Sequence, residues 1–274
     1  MPPEIERGLQ LSRHIGTWMA RSDDATVSAW LPARPDLLDD DDASVRPGVL
    51  AFLVDTAGGM ASGLAVWPEW VLTADLTLNL GGAATVGPVR ADATILRAGR
   101  STAVAEVTLH DEGRGVVIGS GTVGSAVRTP PFDPPDLEEA LERRSFDLDE
   151  VMAPRPPLES WLGVGPAEGP PGSVELELDD ALRNPWGILH GGAHTMILDS
   201  AAGRAATDAL GRSARVAAMA VRYLKPGELG PIAAVPAVLG VEGDRAVLRV
   251  GLHDRGSENR LLSVAEVTVV ARGS

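Results

Sequence analysis

An internal repeat constrains this chain more than any other feature of its sequence. When Asp55 is placed on Asp199, RPGVLAFLVDTAGGMA lies on HGGAHTMILDSAAGRA, and glycines and alanines coincide along the two segments. After a gap of one residue, GPVRADATILRAGRSTAVAEVTLHDEG lies on GPIAAVPAVLGVEGDRAVLRVGLHDRG. Because a single gap suffices for both blocks, the sequence predicts two copies of one structural unit.

Each copy shows the same order of secondary-structure signals. An apolar segment of helical length is followed by stretches in which apolar and polar residues alternate, as they do in half-buried strands. These predicted strands cover 71–80, 89–98, 102–111 and 116–127, and then 214–224, 232–241, 245–254 and 261–271, while a further strand precedes each helix, at 25–33 and 173–178. One helix followed by a meander of strands predicts an α+β fold, in which an antiparallel sheet wraps around a central helix.

The two copies define the expected domains. The first unit is predicted to span residues 1–127 and the second 158–274. The segment between them, 128–157, is rich in proline and charge, which is typical of a linker, and its DLEEALERR stretch predicts a short solvated helix.

The two predicted helices are apolar nearly all round, as enclosed helices are. Gly58, Gly59 and Gly203 each cost about 1 kcal/mol of helix propensity relative to alanine, which favours a close approach of another backbone. Asp55 and Asp199 are then carboxylates within enclosed helices, where an unpaired charge is expensive. Each is either a structural acid bonded to neighbouring N–H or hydroxyl groups, or a functional one.

Charge and composition exclude several classes of function. The net charge of −14 disfavours nucleic acid and anionic membranes as partners. The absence of cysteine excludes disulfides, thiolate zinc sites and cysteine nucleophiles. His190 and His194 have a spacing that invites a zinc interpretation, but the expected acidic partner is missing, so we expect neither a metal nor a cofactor. With a polar N-terminus and no run of about 18 apolar residues, no membrane span and a cytoplasmic location are expected.

One motif resembles a known family. His190, Gly191 and Gly192, followed after six residues by Asp199, resemble the signature of the PaaI-type hotdog-fold acyl-CoA thioesterases. TADLTLN at 73–79 and the later RAGRSTAVAEVTLHDEG resemble strands of that family. The resemblance covers most of both halves, so it implies a double hotdog, with two fused units that imitate a homodimer.

The resemblance also implies a chemistry and its residues. Unpaired N–H groups at a helix N-terminus polarise a thioester carbonyl and stabilise the oxyanion that forms, and a nearby carboxylate activates water or attacks directly. In this sequence Gly191 is the expected oxyanion donor and Asn184 helps to hold the carbonyl. His190 is expected to brace the loop, and Gly192 lets the substrate approach closely. Turn formation by Asn-Pro is the alternative role of Asn184.

Carried over to the two halves, the resemblance implies two unequal sites. In the family, the His-Gly-Gly segment of one unit faces the carboxylate of the other, so Asn184, His190 and Gly191 would work with Asp55. Thr73, on the strand that follows the helix of Asp55, would hold the water. In the second site, Arg46 and Pro47 replace the histidine and first glycine, and proline has no N–H. Ala217 stands there for Thr73 and roughly Asp40 for Asn184, so one composite site per chain is expected. If the pairing were within one half, Asp199 would serve His190 instead.

The implied substrate is an acyl-CoA or an acyl-carrier-protein thioester. Arg222 and Lys225 are candidates for contacts with the phosphates of coenzyme A, although exposed cations are more often solvated surface. A non-catalytic acyl-CoA-binding protein is the alternative function, and a hotdog-fold enoyl-CoA hydratase lacks its Asp/His pair here. Because hotdog units often associate further, a homodimer of these chains is expected.

Overall fold

The computed structural model describes residues 3–21, 26–39, 41, 43–133 and 151–272. Its helices are α1 (Pro3–Gly8), α2 (Gln10–Ile15), α3 (Pro47–Val66), α4 (Leu158–Leu162) and α5 (Gly191–Leu210). The strands of the first half are β1 (Trp18–Arg21), β2 (Thr26–Leu31), β3 (Trp70–Leu80), β4 (Val89–Ala98), β5 (Thr102–Asp111) and β6 (Val116–Arg128). Those of the second half are β7 (Gly165–Pro166), β8 (Val174–Leu176), β9 (Ala214–Tyr223), β10 (Ile232–Glu242), β11 (Arg245–Asp254) and β12 (Arg260–Ala271).

All twelve strands belong to one antiparallel sheet. Its order is β1-β2-β4-β5-β6-β3-β9-β12-β11-β10-β8-β7, so the two halves meet where β3 pairs with β9. At this junction Asp75 lies opposite Arg222 and Asn79 opposite Ala218. The two copies of the repeat therefore form two sets of strands on either side of the β3–β9 pair, which we call the seam. Equivalent strands follow in the same order outward from this seam in both sets.

The long helices α3 and α5 form the centre of the fold. Each has twenty residues, and most of their side chains are buried against the sheet and against each other. A Cβ on Gly192 would lie 2.1 Å from Cδ2 of Phe52, and a Cβ on Gly48 would lie 2.8 Å from the Cα of Met196. Side chains cannot fit at either point, so these two glycines allow the N-terminal turns of the helices to pass closely.

Helix α3 is long and apolar enough to cross a membrane when judged by length and composition alone. Its most apolar window has a mean hydropathy of 1.6, and 61% of that window is buried inside the fold. The enclosing sheet accounts for this composition, because a helix covered on nearly every side loses its polar face.

The predicted α+β double hotdog is confirmed, and the eight strands that follow the helices lie within one or two residues of their predicted positions. The sequence pattern missed the short elements α1, α2, β1, α4 and β7. Two of these short helices meet, since the His14 ring of α2 stacks on Trp161 of α4 at 3.7 Å. The predicted helix in DLEEALERR lies outside the described residues, and the proposed domain limits stay a prediction.

The repeated Leu-His-Asp sequence has a structural explanation. In the first half, the Asp111 carboxylate accepts hydrogen bonds from the backbone N–H groups of residues 85–87. In the second half, Asp254 accepts the equivalent bonds from residues 228–230. Each aspartate thereby fixes the loop that enters β4 or β10, and neither lies on the cavity described below.

Candidate active site

A cavity of about 730 Å³ lies between the two halves of the chain. Helix α3 and strand β3 line it from the first half, and the start of α5 with the loop before it lines it from the second. Residues of α2 and β1 contribute to its wall. Five residues predicted as functional border this cavity together, namely Asp55, Thr73, Asn184, His190 and Gly191.

Asp55 projects from the third turn of α3 and is only 7% exposed. The Thr73 hydroxyl on β3 donates a 2.6 Å hydrogen bond to its Oδ1. Burial raises the pKa of Asp55 to about 6, while the Thr73 hydrogen bond acts in the opposite direction. Such a carboxylate is ionised near neutral pH and still basic enough to take a proton.

The start of α5 faces this carboxylate. A Cβ on Gly191 would lie 2.8 Å from Oδ2 of Asp55, so the aspartate of the first half sits directly against the first helical residue of the second. The N–H of a first helical residue has no acceptor within its own helix, and the described residues provide none for Gly191. This N–H and the helix dipole are available to a ligand.

His190 is the N-cap of α5. Its Nδ1 accepts a 3.0 Å hydrogen bond from the N–H of Gly192, which requires an unprotonated Nδ1 and leaves the ring proton on Nε2. Burial lowers the pKa of His190 to about 4, so the ring is neutral at physiological pH. These contacts hold the start of the helix in place.

Asn184 organises the loop that leads to α5. Its Oδ1 accepts hydrogen bonds from the N–H groups of Trp186, at 2.9 Å, and Ile188, at 3.4 Å. Because the oxygen is turned into the loop, the amide nitrogen points away from it, and the described residues provide no hydrogen-bond acceptor for this nitrogen. Asn184 therefore forms the turn before α5 and also borders the cavity, while its contact with a substrate carbonyl stays a prediction.

Tyr223 and His194 also border the cavity, although the sequence had not assigned them to it. Tyr223, at the end of β9, donates a 3.1 Å hydrogen bond from its hydroxyl to the carbonyl oxygen of Gly191. His194 lies one turn into α5, with its ring 5.0 Å from that of Tyr223 and its Nδ1 3.0 Å from Ser263 Oγ. The sequence offered one signal for Tyr223, which is that the chain has a single tyrosine. The strand pattern alone does not assign this residue to the site.

The repeat-related position, where Asp199 of α5 faces the start of α3, is closed. Asp199 does not border the large cavity and lies instead in a space of about 10 Å³. A Cβ on Gly48 would lie 2.8 Å from its Cβ, and the preceding Pro47 provides no N–H. Burial raises the pKa of Asp199 to about 7, with a hydrogen bond from Gly48 and the charge of Arg46 opposing the effect.

Helix α4 fills this second position. The Glu159 carboxylate accepts hydrogen bonds from Ser200 at 2.5 Å and from Arg204 at 2.9 Å, and it pairs with Arg46 at 3.4 Å. The apolar residues Leu158 and Leu162 of the same helix line the remaining space. The space of about 10 Å³ beside Asp199 is too small for a substrate carbonyl, and a single composite site per chain stays a prediction.

The residues predicted to bind substrate are placed differently from one another. Lys225 borders the cavity, and so does Arg128, which the sequence had not indicated. Arg222 does not border it, because its neighbour Tyr223 faces the helix and adjacent strand residues point to opposite faces. Gly192 does not border it either, since it lies against Phe52 in the helix crossing. Neither Arg222 nor Gly192 borders the cavity, and their substrate contacts stay a prediction.

Comparison with known proteins gives one family. The model of the thioesterase superfamily matches residues 45–118 and 187–259, one segment in each half. No curated protein sequence matches the chain significantly.

Several solved structures share the fold over nearly the whole chain. A hotdog-fold protein of unknown function from Alicyclobacillus acidocaldarius matches with a TM-score of 0.60 and 13% identity, covering 96% of this chain and 98% of that one. The 12:0-ACP thioesterase from Umbellularia californica matches with a TM-score of 0.61 and 10% identity, covering 90% and 94%. The tesB protein of Mycobacterium avium subspecies paratuberculosis matches with a TM-score of 0.57 and 11% identity, covering 93% and 96%. At these identities the similarity establishes the fold.

Proposed function

The chain belongs to the thioesterase superfamily, and on that premise we propose that it hydrolyses an acyl-CoA at a single site built from both halves. The observation that carries this proposal is the position of Asp55 against Gly191, beside a cavity of about 730 Å³. A basic carboxylate and an unpaired helix N–H then face the same space. Hydrolysis of a thioester needs such a pair, one group to activate water and the other to hold the oxyanion.

The proposed reaction starts at Asp55. The carboxylate takes a proton from water while the water oxygen attacks the thioester carbonyl carbon. Thr73 donates to the other carboxylate oxygen and so fixes its orientation. Since burial raises the pKa of Asp55 to about 6, the group is ionised at pH 7 and matched to proton transfer near that pH. Direct attack by Asp55 on the carbonyl is the alternative role of the same residue.

The tetrahedral oxyanion forms at the start of α5. The Gly191 N–H is the proposed donor to it, with the helix dipole behind and the Asn184 amide nitrogen as a second donor. Removing one such donor from the oxyanion hole of a serine protease costs about 2.7–4 kcal/mol. Collapse of the intermediate breaks the C–S bond, and the thiolate leaves with the proton held by Asp55, which yields a carboxylic acid and a thiol.

The wall of the cavity suits an apolar acyl group. Gly59 and Gly63 follow Asp55 at successive turns of α3, and a Cβ on Gly59 would meet no atom within 4 Å. Beyond them the wall includes Trp67, Trp70 and other large apolar side chains. We infer that the acyl chain runs from Asp55 along this face of α3 toward the tryptophans.

Charge favours coenzyme A as the carrier. Lys225 and Arg128 border the cavity and are suited to phosphate contacts, and the acids on its wall are Asp55 and Glu69. An acyl carrier protein is usually acidic and would approach a chain of net charge −14, so repulsion would weaken that encounter. These features support an acyl-CoA substrate.

Thiol release from a panel of acyl-CoAs tests the proposal, with the wild type compared with Asp55→Asn and Asp199→Asn. The chain has no cysteine, so it gives no background with a thiol reagent. We expect Asp55→Asn to lose at least about 100-fold in kcat, the effect of removing a general base. Asp199→Asn is the matched control, an aspartate at the equivalent helix position, and should keep wild-type turnover.

Each other result has a definite meaning. Loss of turnover in Asp199→Asn alone would show that the pairing of the halves is wrong, although the chain would still be a thioesterase. A folded wild type that binds acyl-CoA without hydrolysing any of the panel would instead be an acyl-CoA-binding protein.

A further inference from the structure

We infer that Tyr223 is a positioning residue for the proposed reaction, whose hydroxyl holds the Gly191 turn so that its N–H points at the substrate carbonyl. The inference rests on the function proposed above. Its direct evidence is the 3.1 Å hydrogen bond from the Tyr223 hydroxyl to the Gly191 carbonyl oxygen.

A glycine in this position needs an external restraint. Gly191 has no Cβ and is the first residue of α5, where the helical hydrogen bonds hold its carbonyl but not its N–H. A second bond to the carbonyl ties the residue to the end of β9, which is anchored in the sheet. The oxyanion donor then gains the rigidity of the sheet as well as that of the helix, and misplacement by about 1 Å can cost about 100-fold in rate.

The tyrosine itself is firmly held. Its ring lies 5.0 Å from the His194 ring, and Nδ1 of that histidine is 3.0 Å from the Ser263 hydroxyl. Ser263 is the residue opposite Tyr223 in the β9–β12 ladder. Tyr223, His194 and Ser263 thus form one cluster that connects β9, α5 and β12.

The ionisation states suit this role. Burial and the nearby charge of Asp55 raise the pKa of Tyr223 well above its usual value, so its hydroxyl stays protonated and can only donate to a carbonyl. Burial and the neighbouring His190 lower the pKa of His194 to about 3, so that ring adds no charge beside the site. The cluster therefore fixes the site without changing its charge across the working pH range.

The first half, in which Pro47 stands in the place of Gly191, lacks this cluster. Asn79 lies opposite Ser120 in the β3–β6 ladder, as Tyr223 lies opposite Ser263, so Asn79 occupies the equivalent place. The repeat puts Leu50 where His194 stands. The tyrosine and histidine thus occur in the half that keeps the His-Gly-Gly sequence, where there is an oxyanion donor to hold.

The test compares Tyr223→Phe with Asn79→Ala in acyl-CoA hydrolysis. We expect Tyr223→Phe to lower kcat about tenfold with KM, the melting temperature and the pH profile unchanged, because the donor is misplaced while substrate binding and Asp55 are intact. Asn79→Ala should match the wild type. His194→Leu, which puts the first-half residue at this position, should lower kcat in the same way. Wild-type kcat in Tyr223→Phe, or a change in KM alone, would overturn the inference.

A readout that needs no turnover separates the inference from the proposed function. Hydrogen–deuterium exchange in residues 190–194 of the free protein should be faster in Tyr223→Phe than in the wild type and Asn79→Ala. If the wild type hydrolyses no thioester, the proposed function fails, and this exchange decides the positioning role alone. Equal exchange in all three proteins would overturn it.

Discussion

The Asp55 carboxylate of the first half lies directly against Gly191 of the second, with Oδ2 only 2.8 Å from the point that a Cβ on this glycine would occupy. The two residues are far apart in sequence but meet because α3 and α5 cross at their N-terminal turns. Their contact explains why the first position after His190 is a glycine, since a larger residue would displace the carboxylate that faces it.

The first prediction concerns this contact. Gly191→Ala should lower kcat/KM for acyl-CoA by about 100-fold, because the methyl group would push the Asp55 carboxylate or the α5 turn out of place. Gly203→Ala on the same helix is the control, since a Cβ there meets no atom within 4 Å. Thiol release under first-order conditions measures both. Full activity in Gly191→Ala would mean that the close approach has no catalytic importance.

The second prediction is a pH dependence set by Asp55. Because the base must be ionised and its pKa is raised to about 6, kcat/KM should rise with pH through about 6 and level off above it. Thr73→Val removes a hydrogen bond that lowers this pKa, so the rise should move to higher pH by about one unit. A profile measured between pH 4.5 and 9 is sufficient to see both effects.

Asp199 provides the control for this profile, because its pKa is raised to about 7 and could produce a similar rise. The profile of Asp199→Asn should be identical to that of the wild type. If the rise disappears in Asp199→Asn, or does not move in Thr73→Val, the assignment to Asp55 is wrong.

Much of this arrangement could be predicted from the sequence. The alternation of apolar residues located the strands around the seam, and the repeat showed that a helix stood at the same place in each half. Pro47 in the place of Gly191 already indicated that the second site lacks a donor. These features are local, since periodicity and the missing N–H of proline do not depend on how the halves pack.

The features that the sequence did not locate depend on packing. Arg222 and Tyr223 are neighbours on β9, and which one faces α5 depends on the register of the β3–β9 seam, which the sequence does not encode locally. Phe52 lies directly against Gly192 in the helix crossing, a contact that the sequence does not indicate. The segment that closes the second site, α4, has only five residues and is too short for a periodic signal.

The third prediction concerns the acyl chain. Gly59 is one helical turn, about 6 Å, from Asp55, and its missing side chain leaves open space along the cavity. Gly59→Leu should therefore lower kcat/KM for long acyl-CoAs such as lauroyl-CoA by about tenfold or more, with little effect on acetyl-CoA. The matched control is Gly203→Leu, the repeat-related position on α5, which lies away from the cavity. Equal losses for long and short chains in Gly59→Leu would place the acyl group elsewhere.

The last prediction concerns stability and the closed second site. Asp199 has a pKa raised to about 7 in the folded chain, well above the usual value of an aspartate, so the native state holds its proton more tightly than the unfolded state does. The stability this gives is fully present below about pH 4 and is lost as the pH rises toward 7, where the buried carboxylate ionises.

The asparagine side chain in Asp199→Asn keeps an oxygen that can accept the hydrogen bond from Gly48, but this side chain cannot ionise. Its melting temperature relative to the wild type should therefore increase between pH 4 and 7, reaching a gain of a few degrees at pH 8. Asp208→Asn, at an exposed position of the same helix, is the control and should show a difference that does not change with pH. A gain in Asp199→Asn that is equally large at pH 4 would show that the effect does not come from the ionisation of Asp199. It would then reflect altered packing against Gly48 and Glu159 in the closed site.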